Sequence, residues 1–387
     1  MEMRIPLSDM AYDEEEEQAA LDVIRRRWLT MGSVTQKFES EFASALGVKH
    51  ALAVSNGTHA LHLACLALGV GAGDEVIVPA LTFVATANAV LYTGAEVRFA
   101  EIIGETELNI SPADLETRIT PRTKAIMVVH YGGYPCRMPE ILEIAKQHNL
   151  AVIEDAAHAH GASLDGRALG TWGDAGCFSF FSNKNLATGE GGMLVTDRDD
   201  IADKVRLLRS HGMTTLTWDR HQGHAFSYDV VALGNNYRID EIRSALGLVQ
   251  LGKLSANNAR REAITERYRE VLKGATSLGI ELPFGNSPGI PAYHIFPMLL
   301  PVGADRITFM ETMRKAGVGT SIHYPPIHQF TLYRQRYPHL SLPVTEKVAA
   351  REVTLPLYPG LNDEEADWVL SAAIEALSLE RVFTPSG

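Results

Sequence analysis

Between about residues 50 and 155 the chain alternates short, continuously apolar runs with helix-like stretches, and this alternation constrains the fold more than any other feature. THALHLACLAL (58–68) reads as helix, EVIVP (75–79) as strand, TFVATANAVLY (82–92) as helix and EVRFAEI (96–102) as extended. SPADLETRI (111–119) has Ser111 as N-cap and Pro112 at the first helical position, where a missing N–H costs nothing. KAIMVVHY (124–131) is again continuous, PEILEIAKQHN (139–149) helical, and LAVIED (150–155) a further strand. Strands apolar at successive positions are covered on both faces, which calls for a mostly parallel sheet between helices. The expected fold class is therefore α/β. After about residue 245 the pattern changes to IDEIRSALGLVQLGKLSANNARREAITERYREVLKGA, one or two long helices with a charged outer face. A Pro- and Gly-rich passage follows, then a shorter strand and helix set from about 290. The expected organisation is an N-terminal arm and large domain over 1–245, then a connector helix and small C-terminal α/β domain over 246–387. At roughly 150 residues per domain, 387 residues accommodate this.

Charge and composition remove several function classes. The chain carries 35 basic and 47 acidic residues, a net charge of −12. Such a chain lacks the electrostatic footprint for nucleic acid or an anionic membrane unless it has a local basic patch, and none is evident. Cys65, Cys136 and Cys177 are too few and too scattered for a disulfide framework or a zinc ribbon, and read as small buried hydrophobes. The N-terminus MEMRIPLSDMAYDEEEEQ has no apolar signal core, and no run reaches the ~18 residues of a membrane span. A cytoplasmic protein is expected. His158 and His160, and His323 and His328, lack a third converging ligand at metal-site spacing, so no metal is expected. GVGAGD (69–74) misses the dinucleotide fingerprint by one residue and follows a helix instead of a strand; it reads as a turn.

The chemistry-bearing candidates are individually ambiguous. SNGT (55–58) precedes a helix, so the amides of Gly57 and Thr58 can face an anion; an ordinary N-cap is the alternative. Asp155 ends LAVIED at the strand edge where α/β sheets bind ligands, or it caps the next helix. Twenty-nine residues later, Lys184 stands in CFSFFSNKNLATGEGG, where FSFF brings it to the edge of the core. There a partly desolvated amine becomes a nucleophile, unless the lysine is simply a surface one. Taken together, a strand-end aspartate, a lysine in a Gly-rich loop, a helix-terminal anion cradle and an aromatic near residue 83 are the parts that pyridoxal phosphate (PLP) requires.

Six strings in order make this specific: SNGTHALHLA, VPALTFVATANAV, VIEDAAHAHGA, FSFFSNKNLATGEGGMLVTD, GNNYRIDEI and HYPPIH. Through them, residues 30 to about 345 resemble the DegT/StrS sugar aminotransferases, of the fold type I PLP enzymes. The resemblance implies Lys184 as the Schiff-base lysine and Asp155 as partner of the pyridine nitrogen. It places Phe83 on the ring, His158 beside the ring and its hydroxyl, and Gly57, Thr58 and Ser179 on the phosphate. Asn236 matches an asparagine that reaches the phosphate from the neighbouring subunit, which implies a homodimer with shared sites. The implied reaction moves an amino group from L-glutamate, by way of pyridoxamine phosphate, to a nucleotide-linked keto sugar. Arg238, His323 and Tyr324 are candidates for binding substrate; Arg238 is equally a candidate for a structural ion pair.

The sequence also departs from the family. Many relatives have glutamine at position 158, Asn235 stands where relatives are often aromatic, and FAEIIGETELN is less acidic than the family's segment. Among relatives, histidine in EDAAHA-type strings is familiar in enzymes that aminate C4 and glutamine in those acting at C3 or on cyclitols, so the resemblance implies a 4-keto acceptor. An imidazole is also rigid and can change charge near neutral pH, which alters the site without dictating one carbon. A 3-keto sugar nucleotide, a keto-cyclitol, a dehydratase on the same scaffold and a non-catalytic regulatory protein are the rival readings.

Overall fold

The computed structural model describes residues 3–215, 223 and 227–383. Seven strands form the central sheet: β1 (His50–Val54), β2 (Glu75–Pro79), β3 (Glu96–Ala100), β4 (Thr123–Val129), β5 (Ala151–Asp155), β6 (Ala175–Ser179) and β7 (Gly192–Thr196). Their spatial order is β1-β7-β6-β5-β4-β2-β3. β7 runs antiparallel to both its neighbours, β1 and β6, and all other pairs are parallel. Six strands therefore share one carboxyl edge.

The continuous apolar runs have a direct structural cause. Along β2, Val76 and Val78 enter one core and Ile77 the other; along β4, Met127 enters the first and Ile126 and Val128 the second. Successive side chains of a strand point to opposite faces, and here both faces are packed. The helix Gly57–Ala67 lies in the first core with Ala60, Leu61, Leu63 and Ala64, while Phe38 and Phe42 of the helix Ser33–Leu46 lie in the second.

Two predicted elements end earlier than their strings. In EVRFAEI the sheet strand stops at Ala100, and Ile102–Gly104 joins a separate hairpin with Glu107–Ile110. The break falls at Glu101, whose carboxylate accepts the N–H groups of Val344 (3.1 Å) and Thr345 (2.8 Å) at the start of the helix Pro343–Arg351. In KAIMVVHY, His130 and Tyr131 leave the strand for a tight turn through Gly132, whose φ of 63° is easy only for glycine.

The C-terminal part has its own core. β8 (Phe296–Leu299) and β9 (Glu352–Leu355) pair antiparallel, and Phe296, Met298, Val353 and Leu355 pack with Phe309, Met313, Val369 and Ala373. One helix, Glu241–Gly274, connects the two regions: Leu248, Leu251 and Leu254 pack on the second core of the large sheet, and Ile264, Tyr268 and Leu272 on the C-terminal core. We propose the two-domain division on this basis, with the 245/246 boundary falling inside a helix that serves both parts. Among the described residues no helix is long and apolar enough to cross a membrane.

Candidate active site

The shared carboxyl edge of the sheet borders a cavity of about 380 Å³. Gly57, Thr58, Phe83, Asp155, His158, Ser179, Lys184, His323 and Tyr324, nine of the eleven residues singled out from the sequence, line it. β1 delivers Gly57 and Thr58 at the N-terminus of the next helix, where Asn56 caps the N–H of His59 at 2.9 Å. First-turn N–H groups have no acceptor within their own helix, so this end offers donors to an anion. Ser179 closes the cradle from the end of β6. A Cβ on Gly57 would lie 2.7 Å from the Ser179 Cβ, so only glycine permits this approach. SNGT is thus an N-cap whose residues also line the cavity.

Asp155 is held at the end of β5 by several groups. Its Oδ2 accepts from the Thr86 hydroxyl at 2.8 Å and its Oδ1 from the Ala157 N–H at 3.2 Å. Burial pushes its carboxyl above the usual range, while Thr86, Ala157, Lys184 and His130 pull it back. Glu154, on the opposite face, accepts from Gly170 N–H (2.8 Å), Gly173 N–H (2.7 Å) and the His130 ring (2.9 Å), which pins the strand end. No helix starts directly after Asp155, which removes the capping alternative.

Lys184 follows from the FSFF lead-in as expected: Phe180 is buried and Phe181 exposed, and the Lys184 N–H closes a turn on the Phe181 carbonyl at 2.8 Å. Burial lowers its amine to about 8, with Asp155 opposing that shift. It is not a solvated surface lysine. Beside it, Asn183 has a buried Oδ1 with no partner among the described residues, a polar atom left for a bound group.

His158 corrects one expectation. Its Nδ1 accepts the Gly132 N–H at 3.2 Å, so its Nε2 carries the hydrogen and meets the Tyr324 hydroxyl at 3.2 Å. Its ring lies 4.3 Å from that of His294. Burial, and then the positive charge of Lys184, hold its pKa well below the ordinary value. His158 is neutral near pH 7 and does not switch charge there. His323 is likewise lowered, to about 4, by burial and by Lys184, so it offers hydrogen bonds and no cation.

The other two candidates lie outside the cavity lining. The Tyr237 ring stacks on His59 at 3.6 Å, and its backbone joins Ser55 and Arg209. Asn236, on one side of it, is exposed, and Arg238, on the other, is partly exposed. Arg238 has no ion-pair partner among the described residues, and the charge it feels there is that of Arg209. Sequence reading missed Thr86 and Asn183; Thr86 sits one helical turn after Thr82, and their hydroxyls are 3.1 Å apart.

A mostly parallel sheet whose edge presents a perturbed lysine, a buried aspartate and a glycine-lined anion cradle defines an enzyme built for pyridoxal phosphate chemistry. The DegT/DnrJ/EryC1/StrS aminotransferase family profile matches residues 10–374, and the chain belongs to that family. The spore coat polysaccharide biosynthesis protein SpsC of Bacillus subtilis is 40% identical over 375 residues, covering 95% of this chain and 96% of SpsC. PseC of Helicobacter pylori, an aminotransferase involved in pseudoaminic acid biosynthesis, superposes with a TM-score of 0.89 at 30% identity, covering 97% of this chain and 99% of PseC. Spr1654 of Streptococcus pneumoniae in its PLP form gives a TM-score of 0.89 at 26% identity, covering 98% and 100% of the respective chains. The chain is a PLP-dependent sugar aminotransferase.

Proposed function

We propose that this enzyme transfers the amino group of L-glutamate to a nucleotide-linked 4-keto sugar. The observation that carries the reading is the convergence of Lys184, Asp155 and the Gly57–Ser179 cradle on one cavity. PLP fits it: Gly57, Thr58 and Ser179 hold the phosphate, Asp155 pairs with the ring nitrogen, Phe83 covers the ring and His158 stands at its hydroxyl side. When bound, the cofactor acts as an electron sink for the substrate carbon. Lys184 Nζ, poised near pH 8, takes the proton from the donor Cα and returns one to the sugar carbon that gains the amine. Tyr324 and His323 face the acceptor as neutral hydrogen-bonding groups. Three unpaired buried cysteines fit a reducing compartment, which supports a cytoplasmic enzyme in this reading.

Asn236 and Arg238 serve the neighbouring subunit in this reading. They adjoin an exposed apolar run, with Val230 and Val231 each 56% exposed and Leu233 96% exposed, and such a patch favours association. In a homodimer Asn236 reaches the partner's phosphate, and Arg238, which has no carboxylate partner among the described residues, meets the nucleotide diphosphate. Mixing inactive Lys184→Ala chains with inactive Asn236→Ala chains then gives heterodimers with one intact and one doubly damaged site. Activity should reappear on subunit exchange; a fully active monomer, or no recovery from exchanged dimers, refutes the sharing.

The 4-keto choice rests on His158 through the resemblance to relatives that aminate C4, and not on any change of its charge. The pyridoxamine form should be offered matched 3-keto and 4-keto nucleotide sugars and a free keto-cyclitol, with product regiochemistry read by NMR. Amination at C4 is expected. Preference for the 3-keto compound or the cyclitol refutes that choice and leaves the aminotransferase standing; no cofactor absorbance in the purified protein would favour a regulatory role.

A further inference from the structure

We propose that Glu352, which does not line the cavity, is a positioning residue that sets through Thr354 whether His323 offers the acceptor sugar a hydrogen-bond donor or an acceptor. The inference rests on the proposed function only for the identity of the molecule that His323 meets.

Glu352, Thr354 and His323 are all buried, and form a chain ending at the cavity. Glu352 Oε2 accepts the backbone N–H of His323 at 2.7 Å, so this oxygen remains an acceptor. Oε1 lies 2.6 Å from the Thr354 hydroxyl, and that hydroxyl lies 2.8 Å from His323 Nδ1. A hydroxyl has one hydrogen to give. With Glu352 ionised, Thr354 donates to Oε1 and therefore accepts from Nδ1–H, which leaves Nε2 bare toward the cavity. With Glu352 protonated, the added proton sits on Oε1 and is donated to Thr354, which then donates to Nδ1. His323 must now carry its hydrogen on Nε2.

The two states interconvert by uptake of one proton at Nε2. The Nδ1 hydrogen passes to Thr354 and the Thr354 hydrogen to Glu352, so His323 is neutral before and after. The His323 backbone is held on both sides of its Cα, by Glu352 at its N–H and by the Tyr131 hydroxyl at its carbonyl.

The charged and titratable groups around Glu352 are Arg306, His323, Tyr131 and Tyr324. Arg306 donates to the Glu352 main-chain carbonyl at 3.3 Å and favours the carboxylate. Burial outweighs it and raises the Glu352 carboxyl to about 8. Both tyrosines are raised by burial and remain neutral. The donor form thus holds near neutrality and gives way above pH 8 or so.

Glu352→Gln tests this directly. The amide oxygen must accept from the His323 N–H, so its NH₂ donates to Thr354 and locks the donor form. The holoenzyme, labelled with ¹⁵N in its imidazoles, is titrated by NMR, with the His323 signals assigned by their loss in His323→Gln. In wild type the hydrogen should move from Nε2 to Nδ1 as pH rises past about 8; in Glu352→Gln it should stay on Nε2. The same pH course in both proteins overturns the proposal. Should Glu352→Gln not fold, Thr354→Val, which keeps the shape and cuts the link, must abolish the swap; a swap that persists overturns the proposal. With a turned-over keto sugar, wild type should show an alkaline rise in acceptor KM of about tenfold, the worth of one hydrogen bond, with kcat little changed and no such rise in Glu352→Gln. The NMR result does not depend on the sugar, so failure of the substrate assignment and failure of this inference are separable.

Discussion

Lys184→Ala should abolish amino transfer, by about four orders of magnitude or more, while leaving the chain folded and able to bind pyridoxamine phosphate. Two functions rest on this one amine. In the proposed reading it would hold the cofactor by its aldehyde and, once released, would move the proton at the substrate carbon; acid–base catalysis alone contributes about 10²- to 10⁴-fold. Among the residues lining the cavity there is no other lysine to replace it. The fold should tolerate the change because the amine is there at a cost. Its pKa is depressed to about 8 by burial, so between there and the ordinary lysine value the unfolded chain holds a proton that the folded chain lacks. Stability of the cofactor-free wild type therefore gains a component that rises with pH across this window. Lys184→Ala should lose that rise and show no loss of stability below it. Single-turnover absorbance with glutamate measures the first claim and urea unfolding at several pH values the second. Transfer near the wild-type rate would remove Lys184 from the centre of the site.

The parts of this molecule that were legible in the sequence are those fixed by local physics. Both faces of β2, β4 and β5 are packed, so their apolar runs are continuous, and this announced a parallel sheet before any strand pairing was known. Asp155 was legible as a strand-end charge and Lys184 as a polar residue emerging from FSFF, because a sheet's carboxyl edge is where side chains leave the core. The failures are non-local. EVRFAEI looked like one strand, but Glu101 is drawn off by a helix terminus more than 240 positions away. His158 read as a group able to charge, and its neutrality, like that of His323, comes from burial and from the nearby Lys184, which no local string contains. Arg238 read as either a ligand for substrate or half of an ion pair, and the sequence alone could not show that no carboxylate among the described residues pairs with it.

The same contrast between local identity and assembled environment decides what Asp155→Asn should do. Asparagine matches aspartate in shape, and its amide can keep the existing contacts: the oxygen accepts from the Ala157 N–H while the NH₂ faces Thr86, whose hydroxyl turns to donate to Thr82, 3.1 Å away. Glu154 continues to pin the strand end through Gly170, Gly173 and His130. The variant should therefore fold, and Gly57, Thr58 and Ser179, proposed to hold the phosphate, are unchanged, so the cofactor should still bind. What is lost is a buried negative charge, in a place where burial already makes that charge expensive. A buried carboxylate is stable when a cation faces it, and the protonated ring nitrogen is that cation in the proposed arrangement. Without the carboxylate the proton is no longer favoured there, and turnover should fall by about two to three orders of magnitude, the usual effect of removing one preorganised charge partner. A second consequence follows at Lys184. Asp155 opposes the downward shift of its amine, so in Asp155→Asn that amine should titrate below its wild-type value. The acidic limb of the pH–rate profile moves down with it. Half-reaction kinetics with glutamate across pH, alongside cofactor titration, read all of these effects. Unchanged turnover, or an unshifted acidic limb in a variant that retains cofactor, would leave Asp155 as a structural residue at the end of its strand.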